Sequence, residues 1–462
     1  MFSENVYAKR REALRRRMGS GLLLFPGNGE SAMNYPANPY PFRQDSSFLY
    51  YFGIDLPGFI GLIDVDEDRD YIYGNDFDVD DIIWMGPQPS VKELAARVGV
   101  EATGDTGKLA ERLAAAIAAG RRVHFLPPYR MEERVRLAEW LGLAVPAVAR
   151  YASVPLIRSV VAQREIKSDA EIREIEKALD ISGRMYRTVM SMTRPGVSEG
   201  EVAGALLGVV GRANSRTSFP TILSIHGETL HNHDHGNRME AGHLLVVDSG
   251  AESPEHYASD ITRTFPVSGR FSPEQRQVYE IVLKAQETAI QAMRPGIRFL
   301  DVHLQAARVI ASGLGEMNLM KGDPAEAVQA GAHALFFPHG LGHQMGLDVH
   351  DMENLGEDYV GYDETLGRSR QFGLAYLRMA RELMPGFVLT VEPGIYFIPA
   401  LIDQWRQEGA HADFINYDIL EKFRSFGGIR IEDDVLVTDD GHRVLGPGIP
   451  KAVEDIEAGM KG

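Results

Sequence analysis

One phrase of this chain is written twice, and the duplication constrains the fold more than any other feature. Each copy runs through a Gly turn into a short apolar strand and places a carboxylate nine residues after its first letter, Asp248 in one copy and Glu392 in the other. The copies are MEAGHLLVVDSGAE at 239–252 and LMPGFVLTVEPGIY at 383–396, and a second pair agrees with them, MTRPGVSEGEVA at 192–203 and MRPGIRFLDVHL at 293–304. Repeats spaced this widely predict a duplicated half-domain rather than a solenoid. An acid that ends a buried strand in both halves indicates one site shared between them.

Composition narrows the class of protein. The chain has 462 residues, 44% hydrophobic and 24% charged, which is typical of a globular protein of two or three domains. A formal charge of −17 argues against binding to nucleic acid or to anionic membranes, and no apolar run approaches the ~20 residues of a membrane span. The absence of cysteine excludes disulfides, thiolate ligands and cysteine catalysis, and it fits a reducing compartment, so we expect a cytoplasmic protein.

The texture of the sequence changes near residue 160. Residues 1–155 alternate strand-like apolar runs with helical segments and predict an N-terminal α/β domain, which begins with a helix rather than a transit peptide because Glu4 and Glu12 interrupt the basic run. We expect a linker at 156–167 and a second domain at 168–462. Ser168 with Glu171 forms a capping box that begins the first helix of that domain.

Four acids and one histidine could form a metal site. Asp248 in LLVVDSG, Asp260 in SDITRTF, Glu392 in LTVEPG and Glu432 in GGIRIEDD all lie within runs of Val, Ile and Leu, and PHGLGHQMGLDVHD adds histidines. Burying several unpaired carboxylates is costly, so a cation must be close by. Acids with one imidazole favour a pair of Mn²⁺-like or Co²⁺-like ions over a thiolate-type zinc site. Two such ions can activate water as a nucleophile at neutral pH.

Three other segments resemble known catalytic or binding motifs but do not meet the requirements of those motifs. GVSEG at 196–200 spells a nucleophile elbow, but it follows a helix and Pro195 rather than a strand, so Ser198 is read as a helix cap. GDTGKL at 104–109 lacks the residues of a phosphate-binding loop, and HGLGH has no Glu after His339, which excludes an ordinary zincin.

The ordered series VVDSG, SDITRTFPVSG, PHGLGHQMGLDVHD, LTVEPGIYF and FGGIRIEDD resembles the pita-bread metallopeptidases that cleave Xaa-Pro bonds, the prolidases and Xaa-Pro aminopeptidases. FRQDSSFLYYFGIDLPG at 42–58 is similar to the N-terminal domain of the same family. The resemblance implies an α/β (α+β) protein, with a pita-bread catalytic domain that contains an internal pseudo-twofold repeat. It also implies two divalent ions, Mn²⁺ before Co²⁺ or Zn²⁺, proline-containing peptides as substrates, and a homodimer.

The resemblance also implies a role for each residue that matches a family motif. Asp248 would bind one metal, Asp260 and Glu432 would bridge both, and His343 with Glu392 would complete the second. His350 would stabilise the tetrahedral intermediate, and Glu392 would also shuttle a proton. The substrate-side residues implied in this way are His231 and His339, with Arg430 orienting the site beside Glu432.

The choice between dipeptidase and aminopeptidase depends on one arginine. Prolidases need a cation to hold the free carboxylate of a C-terminal proline, and Arg378, fourteen residues before Glu392, matches that arginine in eukaryotic-type prolidases. We therefore favour an Xaa-Pro dipeptidase, with an Xaa-Pro aminopeptidase as the alternative. Other readings are a ligand-free peptide- or histone-binding module and a metal-free hydrolase of the creatinase type; a methionine aminopeptidase would usually lack a first domain like residues 1–150.

Overall fold

The structure, a computed structural model, describes residues 2–461. The chain divides into two compact units. The first runs to Arg164 and also includes Asn354–Tyr359, and the second comprises Glu165–Glu353 and the residues from Val360 onward. Across the described range, no helix combines the length and the apolar character needed to cross a membrane.

The first unit is an α/β domain built on one five-stranded sheet. Its strands are β1 (Leu22–Pro26), β2 (Ile60–Asp64), β3 (Arg69–Tyr73), β4 (Ala102–Gly104) and β5 (Val123–Phe125), in the order β4-β3-β2-β1-β5. Its helices are α1 (Glu4–Met18), α2 (Ser46–Phe52), α3 (Val79–Met85), α4 (Val91–Arg97), α5 (Thr106–Ala118), α6 (Met131–Leu141) and α7 (Val154–Arg164). The two central pairings are antiparallel, whereas β4 and β5 add to the edges in parallel.

Local sequence explains these elements. In α5, the Asp105 side chain accepts a hydrogen bond from the Lys108 backbone N–H and so caps the helix, and Leu109 and Leu113 are buried at helical spacing. Both α1 and the strand-like runs read from the sequence are present. The segment predicted as a linker, 156–167, is structured differently, because residues as far as Arg164 belong to α7 and to the first unit. The helix forms because Leu156 and Val160, one turn apart, are both buried.

The second unit combines long helices with three small antiparallel sheets. Its helices are α8 (Asp169–Met192), α9 (Glu199–Arg212), α10 (Pro273–Ala292), α11 (Phe299–Glu316), α12 (Pro324–Ala330), α14 (Pro399–Glu408), α15 (Tyr417–Leu420) and α16 (Val453–Gly459), with the short α13 (Glu357–Val360) at the unit boundary. Its strands are β6 (Ile222–Ser224), β7 (Leu244–Asp248), β8 (Thr262–Pro266), β9 (Val388–Val391), β10 (Gly394–Tyr396), β11 (Gly428–Arg430), β12 (Asp433–Val437) and β13 (His442–Val444). The sheets are β6-β7-β8, β13-β12-β9 and β10-β11. The capping box predicted at Ser168 is formed, and Ser198 is a helix cap as expected, with a capping box of its own to Glu201.

The duplicated phrases adopt the same backbone structure. The Gly196 N–H donates to the Met239 carbonyl oxygen over 2.8 Å, and the Gly296 N–H donates to the Leu383 carbonyl oxygen over 3.0 Å. The return bonds also correspond, from the Met239 N–H to Val197 (2.9 Å) and from the Leu383 N–H to Ile297 (2.8 Å). Both Gly196 and Gly296 have a positive φ, 90° and 84°, which a side chain would oppose. The repeat read from the sequence is therefore a repeated helix–turn–helix, hydrogen-bonded in each half to the segment that leads into a strand.

The strands of the two halves meet at one point. Asp248, the last residue of β7, lies opposite Thr262, the first residue of β8. Thr262 in turn forms a β-bridge with Glu432, whose backbone N–H donates to the Thr262 carbonyl oxygen over 3.0 Å. This junction places acids from both halves side by side.

Candidate metal centre

The predicted acids converge at the ends of the strands. Asp248, Asp260 and Glu432 are buried, and the Glu392 side chain is 19% exposed. Alternation along the strands brings their side chains together. Two hydrogen bonds then hold the neighbouring groups. Thr262 donates a 2.6 Å hydrogen bond from its hydroxyl to Glu432 Oε2, and the Asp260 backbone N–H donates to Asp434 Oδ2 over 3.1 Å. These bonds hold the acids in place while other carboxylate oxygens remain directed into the site.

His343 faces the same acids. Its Nδ1 lies 3.1 Å from the Gln344 carbonyl oxygen and must donate to it, so Nε2 is the nitrogen with a free lone pair. Nε2 lies 3.5 Å from Asp260 Oδ2 and 3.8 Å from Glu392 Oε1. Burial, followed by the neighbouring His350, holds the pKa of His343 well below its usual value. A neutral imidazole cannot act as a counter-charge to these carboxylates, but its free lone pair can bind a metal ion.

The electrostatics of the cluster favour a bound cation. Burial, reinforced by Glu432 and Asp248, raises the pKa of Asp260 well above its usual value, and burial with Glu392 does the same to the pKa of Glu432. Burial, opposed by Arg430, raises the pKa of Glu392 to about 7. Among the described residues, Asp248 Oδ1 and Asp260 Oδ1 are buried without a hydrogen-bond partner. Donor atoms of Asp260, His343 and Glu432 lie within 4.8 Å of one another, so these residues fit a divalent ion.

A hydrogen-bonded chain supports the cluster from one side. The buried Arg430 donates from Nη2 to Asp248 Oδ2 over 2.6 Å, from Nη1 to the Tyr396 hydroxyl oxygen over 2.8 Å and from Nε to the Thr262 hydroxyl oxygen over 3.2 Å. The Tyr396 hydroxyl then donates to His339 Nε2 at 2.9 Å, since His339 Nδ1 is committed to the Gly340 carbonyl oxygen at 2.8 Å. Burial and the charge of Arg430 lower the pKa of His339 to about 3, which keeps it the acceptor in this chain.

A cavity of about 580 Å³ opens onto the acids, within the range of ligand sites. All ten predicted site residues line it, the half-buried His350 and Arg378 and the exposed His231 included. The rest of its wall is largely apolar: Phe219, Pro220, Ile222, Leu230, Val349, Phe372, Tyr376, Ile398 and Leu401. The cavity therefore combines a charged floor with walls suited to a nonpolar side chain or ring.

Sequence reasoning missed three residues of the surroundings. Tyr396 carries the bond between Arg430 and His339, and strand alternation from Glu392 through Gly394 could have indicated it. Asp434 accepts from the Asp260 backbone and appeared in the sequence only as one acid in a run. Glu353 contacts both His350 and Arg378. It begins a 3₁₀ helix of only three residues, Glu353–Leu355, which is too short for a periodic pattern to have selected it.

Comparison with models of protein families gives one match in each of the two units. Residues 173–439 match the model of metallopeptidase family M24, and residues 7–124 match that of the aminopeptidase P N-terminal domain. These matches confirm the recognition made from the motifs, and they fall on the two regions that the sequence separates.

Individual relatives and a solved structure support the same family assignment. The chain is 34% identical to the Xaa-Pro dipeptidase of Homo sapiens over 96% of this chain and 89% of that protein. It is 32% identical to a probable Xaa-Pro aminopeptidase of Fusarium vanettenii, over 95% of this chain and 92% of that protein. The solved structure of the Pseudomonas aeruginosa aminopeptidase PepP superposes with a TM-score of 0.83 and 29% identity, covering 100% of this chain and 98% of that one. The expected architecture, an N-terminal α/β domain followed by a pita-bread domain, is confirmed.

Proposed function

The chain belongs to metallopeptidase family M24, and from this premise we propose that it hydrolyses the peptide bond that precedes proline, preferentially in Xaa-Pro dipeptides. The observation that carries the proposal is the cluster of four acids and His343 on the floor of an apolar-walled cavity. Relatives named for action on Xaa-Pro bonds support the same substrate class.

Two divalent ions would be held by Asp248, Asp260, His343, Glu392 and Glu432, and Asp260 and Glu432 would contribute to the binding of both. When bound, such ions polarise the scissile carbonyl and make water nucleophilic at neutral pH. An oxygen-rich donor set with one imidazole favours Mn²⁺, with Co²⁺ or Zn²⁺ as alternatives.

The protein's own side chains would supply proton transfer and positioning. Glu392, whose pKa burial raises to about 7, would accept a proton at a carboxylate oxygen and deliver it to the leaving imino nitrogen. When both of its ring nitrogens carry a proton, His350 would donate from Nε2 to the oxyanion while its Nδ1–H is held by Glu353 at 2.5 Å. Arg430 keeps Asp248 in place, and His231 and His339 lie on the substrate side of the cavity.

The apolar wall would recognise proline. A prolyl residue has no amide N–H and a fixed φ, so many peptidase sites reject it, whereas a shaped apolar pocket accepts its ring. Arg378 lines the same cavity and would bind the free carboxylate of a C-terminal proline. That residue is our reason for preferring a dipeptidase; the alternative is an aminopeptidase that releases the first residue of longer Xaa-Pro peptides.

The test is an assay of Mn²⁺-reconstituted protein with an Xaa-Pro dipeptide and the matching Xaa-Pro-Xaa tripeptide. We expect turnover of the dipeptide at the higher kcat/KM and no turnover after chelation. Glu392→Gln should lower kcat by roughly a hundredfold or more, in line with the loss of a general acid–base group. Preference for the tripeptide would replace the dipeptidase assignment, and unchanged turnover by Glu392→Gln would refute the mechanism.

Two further assignments stay predictions. We propose a cytoplasmic location, supported by the absence of cysteine, and a homodimer, which follows from the family resemblance alone. Light scattering of the purified chain measures the second directly.

A further inference from the structure

Glu353 joins two cavity-lining side chains through a single oxygen. Its Oε2 lies 2.5 Å from His350 Nδ1 and 3.3 Å from Arg378 Nε. Resting on the proposed function, we propose that Glu353 is a positioning residue that ties His350 to Arg378 and sets how strongly the pocket prefers a free prolyl carboxylate over a longer peptide.

The backbone conformation before Glu353 fixes the position of its side chain. Its N–H donates to the His350 carbonyl oxygen over 3.2 Å, which closes a turn in which Met352 has a φ of 64°. A non-glycine residue at positive φ is strained and persists where its surroundings impose it. Met352 is fully buried, and the neighbouring Asp351 is anchored by a 3.0 Å ion pair with Lys167 in which both side chains are only 1% exposed. The turn therefore directs Glu353 back toward His350.

One consequence concerns His350. With Nδ1–H donating to Glu353, the ring is fixed in one orientation, and Nε2 is the nitrogen left to reach a substrate. Losing the carboxylate would free the ring to rotate. This effect would lower turnover of every substrate, whatever its length.

The second consequence concerns Arg378 and depends on substrate length. Hydrogen bonds from His350 and the charge of Arg378 hold the pKa of Glu353 at about 2, so the carboxylate is ionised. A dipeptide must bring its own carboxylate to Arg378 against this anion. A tripeptide places a neutral amide there and meets no such competition. Glu353 therefore moderates the dipeptide preference that Arg378 creates.

The experiment compares kcat and KM for an Xaa-Pro dipeptide and the matching tripeptide. Glu353→Gln keeps the size of the side chain and removes its charge, so we expect KM for the dipeptide to fall by roughly fivefold while KM for the tripeptide is unchanged. Glu353→Ala should in addition lower kcat for both peptides by roughly tenfold, because His350 loses its hydrogen bond. Glu240→Gln, at an exposed carboxylate before β7, is the matched control and should change neither constant.

A double-mutant cycle measures the coupling between Glu353 and Arg378. In an Arg378→Met background, Glu353→Gln should no longer alter the dipeptide-to-tripeptide ratio of kcat/KM. An unaltered ratio in the wild-type background, or an equal shift with and without Arg378, overturns the proposal while leaving the proposed function intact. Wild-type protein that cleaves neither peptide contradicts the proposed function itself, and this inference with it. The Glu353 side chain is 40% exposed, and equal unfolding midpoints would confirm that the variants are folded.

Discussion

His303 and His333 show what burial does to a titratable side chain without a partner. Both are completely buried, their ring centroids are 6.4 Å apart, and within the described chain no nitrogen of either ring has a hydrogen-bond partner. Burial lowers the pKa of His303 to about 3 and that of His333 to about 4. Both rings are therefore neutral in the folded protein, in contrast with His343, whose Nδ1 is bonded and whose Nε2 faces acids.

Because of these two histidines, we expect the stability of the folded protein to decrease at acidic pH. Because their folded-state pKa values lie below the ordinary 6.5, the unfolded chain binds more protons below pH 6.5, and stability falls as pH drops from there toward about 4. Each imidazole contributes at most about 1.4 kcal/mol per pH unit in this window. Urea unfolding at pH 7.5 and 4.5 should show that His303→Leu loses about 2 kcal/mol less stability than wild type on acidification. His226→Gln, at an exposed position, is the control, and an equal loss in wild type and His303→Leu would contradict the argument.

At the scale of elements, the close approach of two chain segments next to β7 and β8 decides whether the acids can meet. A Cβ built on Gly250 would lie 1.7 Å from the Ser259 carbonyl oxygen, which no side chain can tolerate. Gly250 follows Asp248 by two residues, and Ser259 precedes Asp260. The glycine is therefore required for the distance between the two aspartates, and not only for the turn.

Gly250→Ala should accordingly disturb both stability and the metal site. We expect a loss of about 3 kcal/mol from overpacking, and Mn²⁺ binding weakened by roughly tenfold or more because the aspartates are pushed apart. Gly204→Ala is the matched control, since Gly204 is exposed in α9 and has open space around it. That substitution should stabilise the helix by about 0.5–1 kcal/mol. Chemical denaturation and Mn²⁺ titration by calorimetry measure both effects, and similar behaviour of the two variants would disprove the requirement.

At the scale of the whole molecule, the two duplicated halves of the second unit each contribute two acids to one cluster. Asp248 and Asp260 come from the first half and Glu392 and Glu432 from the second, and the Thr262–Glu432 bridge connects them. Divalent ions among these acids would offset the repulsion that now raises the pKa values of Asp260 and Glu432. Ion binding and the stability of the second unit should therefore be linked.

Chelation tests this linkage. Mn²⁺ at a hundred times its Kd should stabilise the second unit by about 2.7 kcal/mol and raise its unfolding midpoint relative to protein in EDTA. Glu432→Gln should show a smaller increase, because the variant loses a carboxylate that we propose binds both ions. Scanning calorimetry with and without Mn²⁺ measures both, and an unchanged midpoint in wild type would contradict the assignment of a metal to these acids.

Local patterns were enough to predict several parts of this protein. Alternation and capping residues predict β7, α8 and α9, and the doubled phrase predicts the repeat that the Gly196 and Gly296 hydrogen bonds display. The motif series identified the family, and all ten predicted residues line one cavity. These features were accessible because each depends on residues close together in the chain, or on phrases that carry their own context.

Tertiary packing decided the rest. Residues 156–164 looked like a linker but form α7, because burial of one helix face outweighs a weak local signal. The Tyr396 bridge joins residues 34 and 57 positions away, and Glu353 reaches Arg378 across 25 positions. The sequence by itself determined which side chains carry charge and which strands they end. Only the folded chain decided which of those charges face one another, because burial and distance, and not residue type, set the energy of each pair.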